Sequence, residues 1–274
     1  MRKAKFSCVM VAASLVGLLV AGCGGGGAGF RRASGPVLEP LSKEDAVRLV
    51  NNNIAQINGT MRATGSVDGH FVSPESRRQV NYNVDGTLFY LSPYYVRFDL
   101  KKLGDRQALF GANDQYYWAY TKEDNAYVCG RMDGSGGGAD VPLQPNQIVE
   151  ALGLNPIPGS GAGAEMRVQP DYQQILFGGK EYWLDRRAPR LVRKVIFRNA
   201  NGSVAMTSDL SDYRPVPGGP MLPHLVNAEW PDRNARLRFD VGRWTSAGDV
   251  SPGGPQFATP AECQRGRSGS TGAK

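Results

Sequence analysis

The side chains able to do chemistry are few in this chain of 274 residues. It has two histidines, His70 and His224. His70 follows Asp68-Gly69 and His224 follows Pro223, so each is expected to be an ordinary surface or loop histidine. Neither sits in a spacing that gathers metal ligands. No G-x-S-x-G elbow seats a nucleophilic serine. The glycine-rich run at 134–138 is not followed by the Lys-Ser/Thr that a phosphate-cradling loop requires. Aspartates and glutamates are dispersed, and nothing argues for two carboxylates working as an acid–base pair. The expectation is therefore no catalytic residue, no metal and no cofactor, with an uncharacterised hydrolase as the last of three readings. The net charge is +7, but three of its positive charges, Arg2, Lys3 and Lys5, lie at the extreme N-terminus. The remaining basic residues are scattered, not clustered into the patch that nucleic acid needs, so no nucleic-acid partner is expected.

The thiol at Cys23 carries the clearest signal. Arg2, Lys3 and Lys5 precede an apolar run from Phe6 to Val20, and the small residues Ala21 and Gly22 follow. That is the order of an export signal. The apolar run falls short of what spans a bilayer comfortably as a helix. Val20-Ala21-Gly22-Cys23 resembles the lipobox of bacterial lipoproteins. The resemblance implies that the Cys23 thiol is alkylated by diacylglycerol and that Cys23 becomes the new N-terminus. It would hold the protein to a membrane, each buried methylene adding about 0.8 kcal/mol. Residue 24 is Gly, not the Asp that tends to keep such proteins in the inner membrane. The resemblance therefore implies the periplasmic face of the outer membrane. Cys8 would leave with the signal. Cys129 and Cys263 stay, and an export compartment permits a disulfide between them. Two outcomes are open: a bridge that pins the C-terminal tail to the domain, or two free thiols.

These residues need a scaffold, and the pattern is mostly strand. Gly 35 and Pro 18 are high for a helical protein. Tyr94 to Tyr120 reads as three antiparallel strands. Val96, Phe98 and Leu100 alternate with Arg97, Asp99 and Lys101, giving one core face and one wet face. Asn113-Asp114 makes a turn before Tyr116, Trp118 and Tyr120. Upstream, Ser42 caps a helix over 41–57 whose stripe is Ala46, Leu49, Val50, Ile54 and Ile57. Strands are expected at 61–67 and 71–72 around a turn at Asp68-Gly69. The segment 79–91 is expected to be interrupted at Asp85-Gly86 by a hairpin or bulge. A short helix over 145–152 ends at Gly153. The second half repeats the cadence and closes with a hairpin, 224–230 and 235–244, in which Leu237, Phe239 and Val241 share a face. Roughly ten or eleven strands and two helices result, and a sheet that long must curl or close. The expected organisation is a signal at 1–22 and Cys23 with a flexible tether to residue 40. One domain follows at 41–245, and then a disordered tail at 246–274 whose Gly, Ser, Pro and Arg have little to bury.

The helix running into Ile57-Asn58-Gly59 begins a cadence that continues through Tyr95-Val96-Arg97-Phe98-Asp99, Phe110 to Trp118, Tyr182-Trp183-Leu184-Asp185 and Pro189 to Ile196. It resembles the LolA/LolB-like lipoprotein carriers and receptors over roughly 41–245. The resemblance implies a mainly β (α+β) fold: a curled antiparallel sheet forming an incomplete β-barrel, an N-terminal helix, a short lid helix and a cavity for acyl chains. On that basis Val96, Phe98, Leu100, Phe110, Trp118, Leu237 and Phe239 are the expected cavity lining. Acyl chains of a lipid or lipoprotein are the expected ligand, and a periplasmic lipoprotein carrier is a candidate partner. The lipobox favours the receptor-like side of that family. The same apolar face in a filled core would make an envelope structural or interaction module instead. Two features depart from the family's habit: long Gly-rich loops at 133–139 and 157–163, and the basic tail.

Overall fold

A computed structural model describes residues 34–72, 76–133, 145–159, 161–216 and 219–264. The signal segment, Cys23, most of the tether and tail residues 265–274 lie outside the described residues, as does most of the 133–139 loop. Helix α1 (Lys43–Ala55) starts where the sequence puts it, with the Ser42 hydroxyl accepting from the Asp45 N–H at 3.1 Å. The chain then runs through β1 (Met61–Val72), β2 (Gln79–Leu91), β3 (Tyr95–Lys102), β4 (Asp105–Ala112), β5 (Tyr116–Thr121) and β6 (Ala126–Arg131). After α2 (Pro145–Ala151) come β7 (Glu165–Val168), β8 (Tyr172–Phe177), β9 (Lys180–Asp185), β10 (Val192–Arg198) and β11 (Val204–Pro215). The last elements are β12 (Met221–Trp230), β13 (Ala235–Ser246) and the short α3 (Ala261–Gln264).

All thirteen strands form one antiparallel sheet in the order β6-β5-β4-β3-β2-β1-β13-β12-β11-β10-β9-β8-β7. It is two meanders joined where the first strand pairs the last. The sheet does not close, because β6 and β7 remain its edges. The chain must travel from one edge to the other, and α2 lies on that crossing.

The sheet curls sharply at its centre. Phe98 on β3 and Phe239 on β13 are separated by two strands, three spacings or ~14 Å along a flat sheet, yet their ring centroids lie 5.0 Å apart. Two facing glycines permit this. Gly65 pairs with Gly86 across β1 and β2, and the β1–β13 register slips between Thr64 and Gly65. A Cβ on Gly65 would fall 2.0 Å from the Asp240 carbonyl oxygen, and one on Gly86 would fall 2.6 Å from Val67. Asp85-Gly86 therefore makes neither a hairpin nor a bulge of its own strand. It lets an unbroken strand bend. Nor is Asp68-Gly69 a turn: those residues pair in register with Asn83 and Tyr82 inside a continuous β1.

Two expectations at the chain's ends are corrected. Residues 246–264 are not a disordered tail: Ser246 ends β13, and 247–264 form a strap on the outer face of the sheet. Phe257 is 1% exposed and packs edge-on against Tyr95 at 5.5 Å. Arg97 donates to the Gln256 carbonyl at 3.3 Å, and Asn113 donates to the Phe257 carbonyl and the Thr259 hydroxyl. The strap ends in a disulfide between Cys129 and Cys263. Glycine and proline composition hid it because two side chains, Phe257 and Cys263, are enough to anchor it. At the other end, the last part of the expected tether is docked. The Leu38 N–H donates to the Arg186 carbonyl at 3.0 Å, and Arg190 donates to the Glu39 carbonyl at 2.7 Å.

Candidate functional site

The site is the inner face of the curl together with what covers it. Alternation puts Val67, Leu88, Val96, Phe98, Leu100, Phe110, Val226, Leu237 and Phe239 into one continuous buried cluster. The helices fill it. Ile148, Ala151 and Leu152 of the α2 segment sit against Leu88, Phe98, Val226, Trp230, Leu237 and Phe239. The space left among these residues is only about 10 Å³. Of the seven residues expected to line a cavity, Phe98, Leu237 and Phe239 border this residual void. Val96, Leu100 and Phe110 lie in the same core without bordering it.

Trp118 is elsewhere. Phe110 pairs with Ala119, so Ala119 continues the inner face and Trp118 points outward. There it covers Gly111, whose added Cβ would fall 2.3 Å from the indole. It packs with Leu109 and Cys263 under the strap. Both faces of β5 are covered, so depth of burial does not reveal which face a residue is on.

The histidines do not converge. His70 is on β1, not in a turn, with Nδ1 2.7 Å from the Asn81 side-chain oxygen. His224 is not a surface residue: it is buried in β12, with Nδ1 3.2 Å from the Leu222 carbonyl oxygen. Among the described residues no group of three or more His, Cys, Asp or Glu is placed to hold a metal ion. What the arrangement can do chemically is bury apolar surface.

The coverings are held by amide side chains that imitate a strand partner. Asn51 donates to the Ile157 carbonyl at 2.9 Å and accepts from its N–H at 2.8 Å. Asn53 does the same to Met221, at 3.0 and 2.9 Å, and Gln173 to Leu41, at 2.9 Å both ways. Their partners come from 106 to 168 residues away, so no local pattern marks them. The α2 segment is tied by fewer polar links. Ser208 donates to the Ala151 carbonyl at 2.6 Å, Tyr90 to the Leu154 carbonyl at 3.1 Å and the Trp230 indole to Gln147 at 3.2 Å, and Lys180 pairs with Glu150. Burial pushes the Tyr90 and Tyr182 phenols above their ordinary range, and of the two only the Tyr90 hydroxyl has a hydrogen-bond partner among the described residues.

A preformed groove of about 170 Å³ lies beside this core, between α1 and the ends of β10 to β12. Its walls are mostly apolar, with Leu49, Val50 and Ile54 from α1, Leu154, Leu191 and Val192, the Tyr213 ring, and Met221 to Pro223. The amides Asn52, Asn53 and Gln56 of α1 and its C-terminal cap also line it. Arg190 stands among them. A larger depression of about 300 Å³, around His70, Glu229 and Arg236, is open to solvent and mixes charges into its lining, so it offers no continuous apolar wall.

No protein-family model matches the chain, and no curated protein matches it. Among solved structures, a DUF1329 family protein from Desulfovibrio piger is similar at 8% identity and a TM-score of 0.50. That match covers 80% of this chain and 96% of the other. A LolA superfamily protein from Nitrosomonas europaea is similar at 9% identity and a TM-score of 0.49, over 78% of this chain and 97% of the other. An outer membrane lipoprotein-sorting protein domain from Vibrio parahaemolyticus is similar at 10% identity and a TM-score of 0.46, over 77% and 95%. At these identities the likeness is one of fold. The described residues form a helix followed by a long antiparallel sheet, curled but not closed around short helices, which is the fold class expected from the sequence.

Proposed function

We propose that this is a lipid-anchored protein of the bacterial envelope whose domain binds an acyl chain of a lipid or lipoprotein without making or breaking a bond. The observation that carries the reading is the unbroken apolar inner face of the curl, covered by short helices instead of a second sheet, with an apolar groove already open at its side. Burial of a chain there is favourable by about 25 cal/mol per Å² and needs no convergent polar group. The groove's volume is below the 300–1,000 Å³ usual for ligand pockets. It therefore takes part of one chain, and a longer chain has to displace the apolar side chains of α2.

Cys23 is the proposed anchor, carrying diacylglycerol after the signal is removed, and the proposed location is the periplasmic face of the outer membrane. The domain's first docked residues, Leu38 and Glu39, are tied to Arg186 and Arg190, and Arg190 lines the groove. The chain leading back to Cys23 therefore leaves beside the groove's mouth. Fifteen residues reach at most ~50 Å, which keeps the mouth close to the membrane. A periplasmic lipoprotein carrier is the proposed source of cargo.

The alternative is an envelope interaction module with a filled core, favoured by the void of only about 10 Å³ under α2. Native mass spectrometry of the protein purified from a bacterial envelope separates the two. Co-purifying lipid that is diminished by Leu49→Lys, a change on the groove wall, is the expected result. A folded protein with no lipid, which also takes up no fluorescent fatty acid, leaves the interaction module as the account.

A further inference from the structure

We infer that the groove selects a single-chain amphiphile with an anionic head, carboxylate or phosphate, whose chain lies against α1 and whose head sits at Arg190. The inference rests on the acyl-binding reading and adds the class of head group to it.

Among the described residues, Arg190 is the only charged one lining the groove. No carboxylate of the described residues shares the lining, so none of them opposes an anion there. The turn between β9 and β10 carries three arginines, Arg186, Arg187 and Arg190, and β10 carries a fourth, Arg193, near its start; they are not equivalent. Arg187 reaches Asp171 at 2.5 Å and Asp185 at 3.8 Å, and Arg193 lies 3.4 Å from Asp185. Those two charges are matched by buried or half-buried carboxylates. Arg186 spends its guanidinium on the carbonyls of Leu38, Gln169 and Pro170. Arg190 gives one nitrogen to the Glu39 carbonyl. None of the ion pairs of the described residues includes Arg186 or Arg190. The mouth of an apolar groove is thus edged by guanidinium charge that carbonyl dipoles hold in place but no carboxylate in the described fold neutralises.

Two details point to a ligand and not to a merely structural arginine. The Nη1 of Arg190 is buried with no hydrogen-bond partner among the described residues. So are Arg187 Nη1 and Arg193 Nε, but those two have the Asp185 carboxylate at 3.8 and 3.4 Å and Arg190 Nη1 has none, a condition that native interiors avoid unless something else fills the valence. The residue also holds a left-handed backbone, with φ of 59°, fixed by its N–H donating to the Arg187 carbonyl at 2.8 Å. Glycine is the ordinary occupant of such a position, so a long cationic side chain there has a use. Size sets the other half of the ligand class. A groove of about 170 Å³ accommodates part of one acyl chain and excludes a second.

The test uses the oxidised mature chain from Gly24 to Lys274, which keeps every described residue. Oleate, oleoyl lysophosphatidate and neutral monoolein are compared, below their aggregation limits, by displacement of a fluorescent fatty acid. The expected result is that either anion binds about tenfold tighter than monoolein, as one charge-assisted contact provides. That ratio should narrow with added salt and fall towards one in Arg190→Gln, while Arg190→Lys keeps part of it. The order of oleate and lysophosphatidate identifies the preferred head, and either order supports the inference. Equal affinity for oleate and monoolein in the wild type, or an undiminished ratio in folded Arg190→Gln, overturns the anionic head and leaves acyl binding standing. Failure of all three probes to bind overturns the acyl-binding reading itself.

Discussion

Asp99 shows how much of this protein is decided one residue at a time. Its carboxylate is on β3, 9% exposed, and takes two parallel hydrogen bonds from Arg106 at 2.8 and 2.9 Å. Burial alone would push its pKa up, but the Arg106 hydrogen bonds, with Lys101 and Arg97 beside it, outweigh burial and hold the carboxyl below its ordinary range. A depressed folded-state pKa contributes stability that is present above the unfolded value, near pH 4. That stability is lost as pH falls through the folded value. Asp99→Asn is therefore expected to cost about 1–2 kcal/mol at pH 7. That is the lower end for charged hydrogen bonds, because Arg106 is 36% exposed. Urea titrations at pH 7 and pH 2.5 check it: the gap between wild type and variant should close in acid, and a gap independent of pH would mean that ionisation of Asp99 is not its source. At this scale the sequence was legible where alternation was strict. Phe98, Leu100, Leu237 and Phe239 are inside, as their spacing said. Trp118 was not legible, because alternation yields two faces and the strap covers the one that should have been wet. Asn51, Asn53 and Gln173 were not, because an amide that clamps a distant backbone has the same local pattern as a solvated one.

Elements were legible when their cause was local. Ser42 caps α1, Gly104 and Asn113 turn β3 into β4 and β4 into β5, and Asn234, with φ of 46°, turns β12 into β13. They were misread when the cause was tertiary. Asp68-Gly69 and Asp85-Gly86 have turn chemistry, but the first pair is held in register by a neighbouring strand and the second serves the bend at Gly65. The strap over 247–264 is the extreme case, since its composition is that of a loose end. Its attachment is covalent at Cys263 and apolar at Ala247, Val250 and Phe257. The bridge closes a loop of 134 residues, so its loss relaxes the unfolded chain substantially. Cys263→Ser is expected to cost about 2–4 kcal/mol. It should also shift tryptophan emission to longer wavelength under native conditions, because Trp118, 0% exposed beneath the strap, gains water. Denaturation followed by intrinsic fluorescence measures both. A stability loss without the spectral shift would mean that Phe257 alone keeps the strap closed over Trp118.

For the whole molecule, the decisive feature is that the sheet stays open. Thirteen strands are enough to close, yet the two meanders meet only at β1 and β13, and the far edges are left to β6 and β7. The length of the strand series made a curl predictable, but not the position of the opening, because Gly65 and Gly86 set the curvature through contacts between strands. An opening bridged by chain gives α2 a role that a closed barrel could not offer. Ile148, Ala151 and Leu152 fill the inner face as a chain of methylenes would. Their polar ties are a handful of hydrogen bonds, of which Ser208 to Ala151 is the shortest neutral one. Under the proposed acyl-binding reading, exchange of these side chains for an acyl chain would conserve buried apolar area, and the filled interior and a ligand-binding interior would be two states of one surface. If a long chain enters, the amides of Ile148 to Leu154 should lose hydrogen-exchange protection on addition of oleate, while those of β1 and β13 keep or gain it. A chain confined to the groove would instead protect Leu49 to Ile54 and leave α2 unchanged. Protection unchanged throughout, with fatty acid present above saturation, would mean that the core is a finished structure and that the protein works through its outer surface.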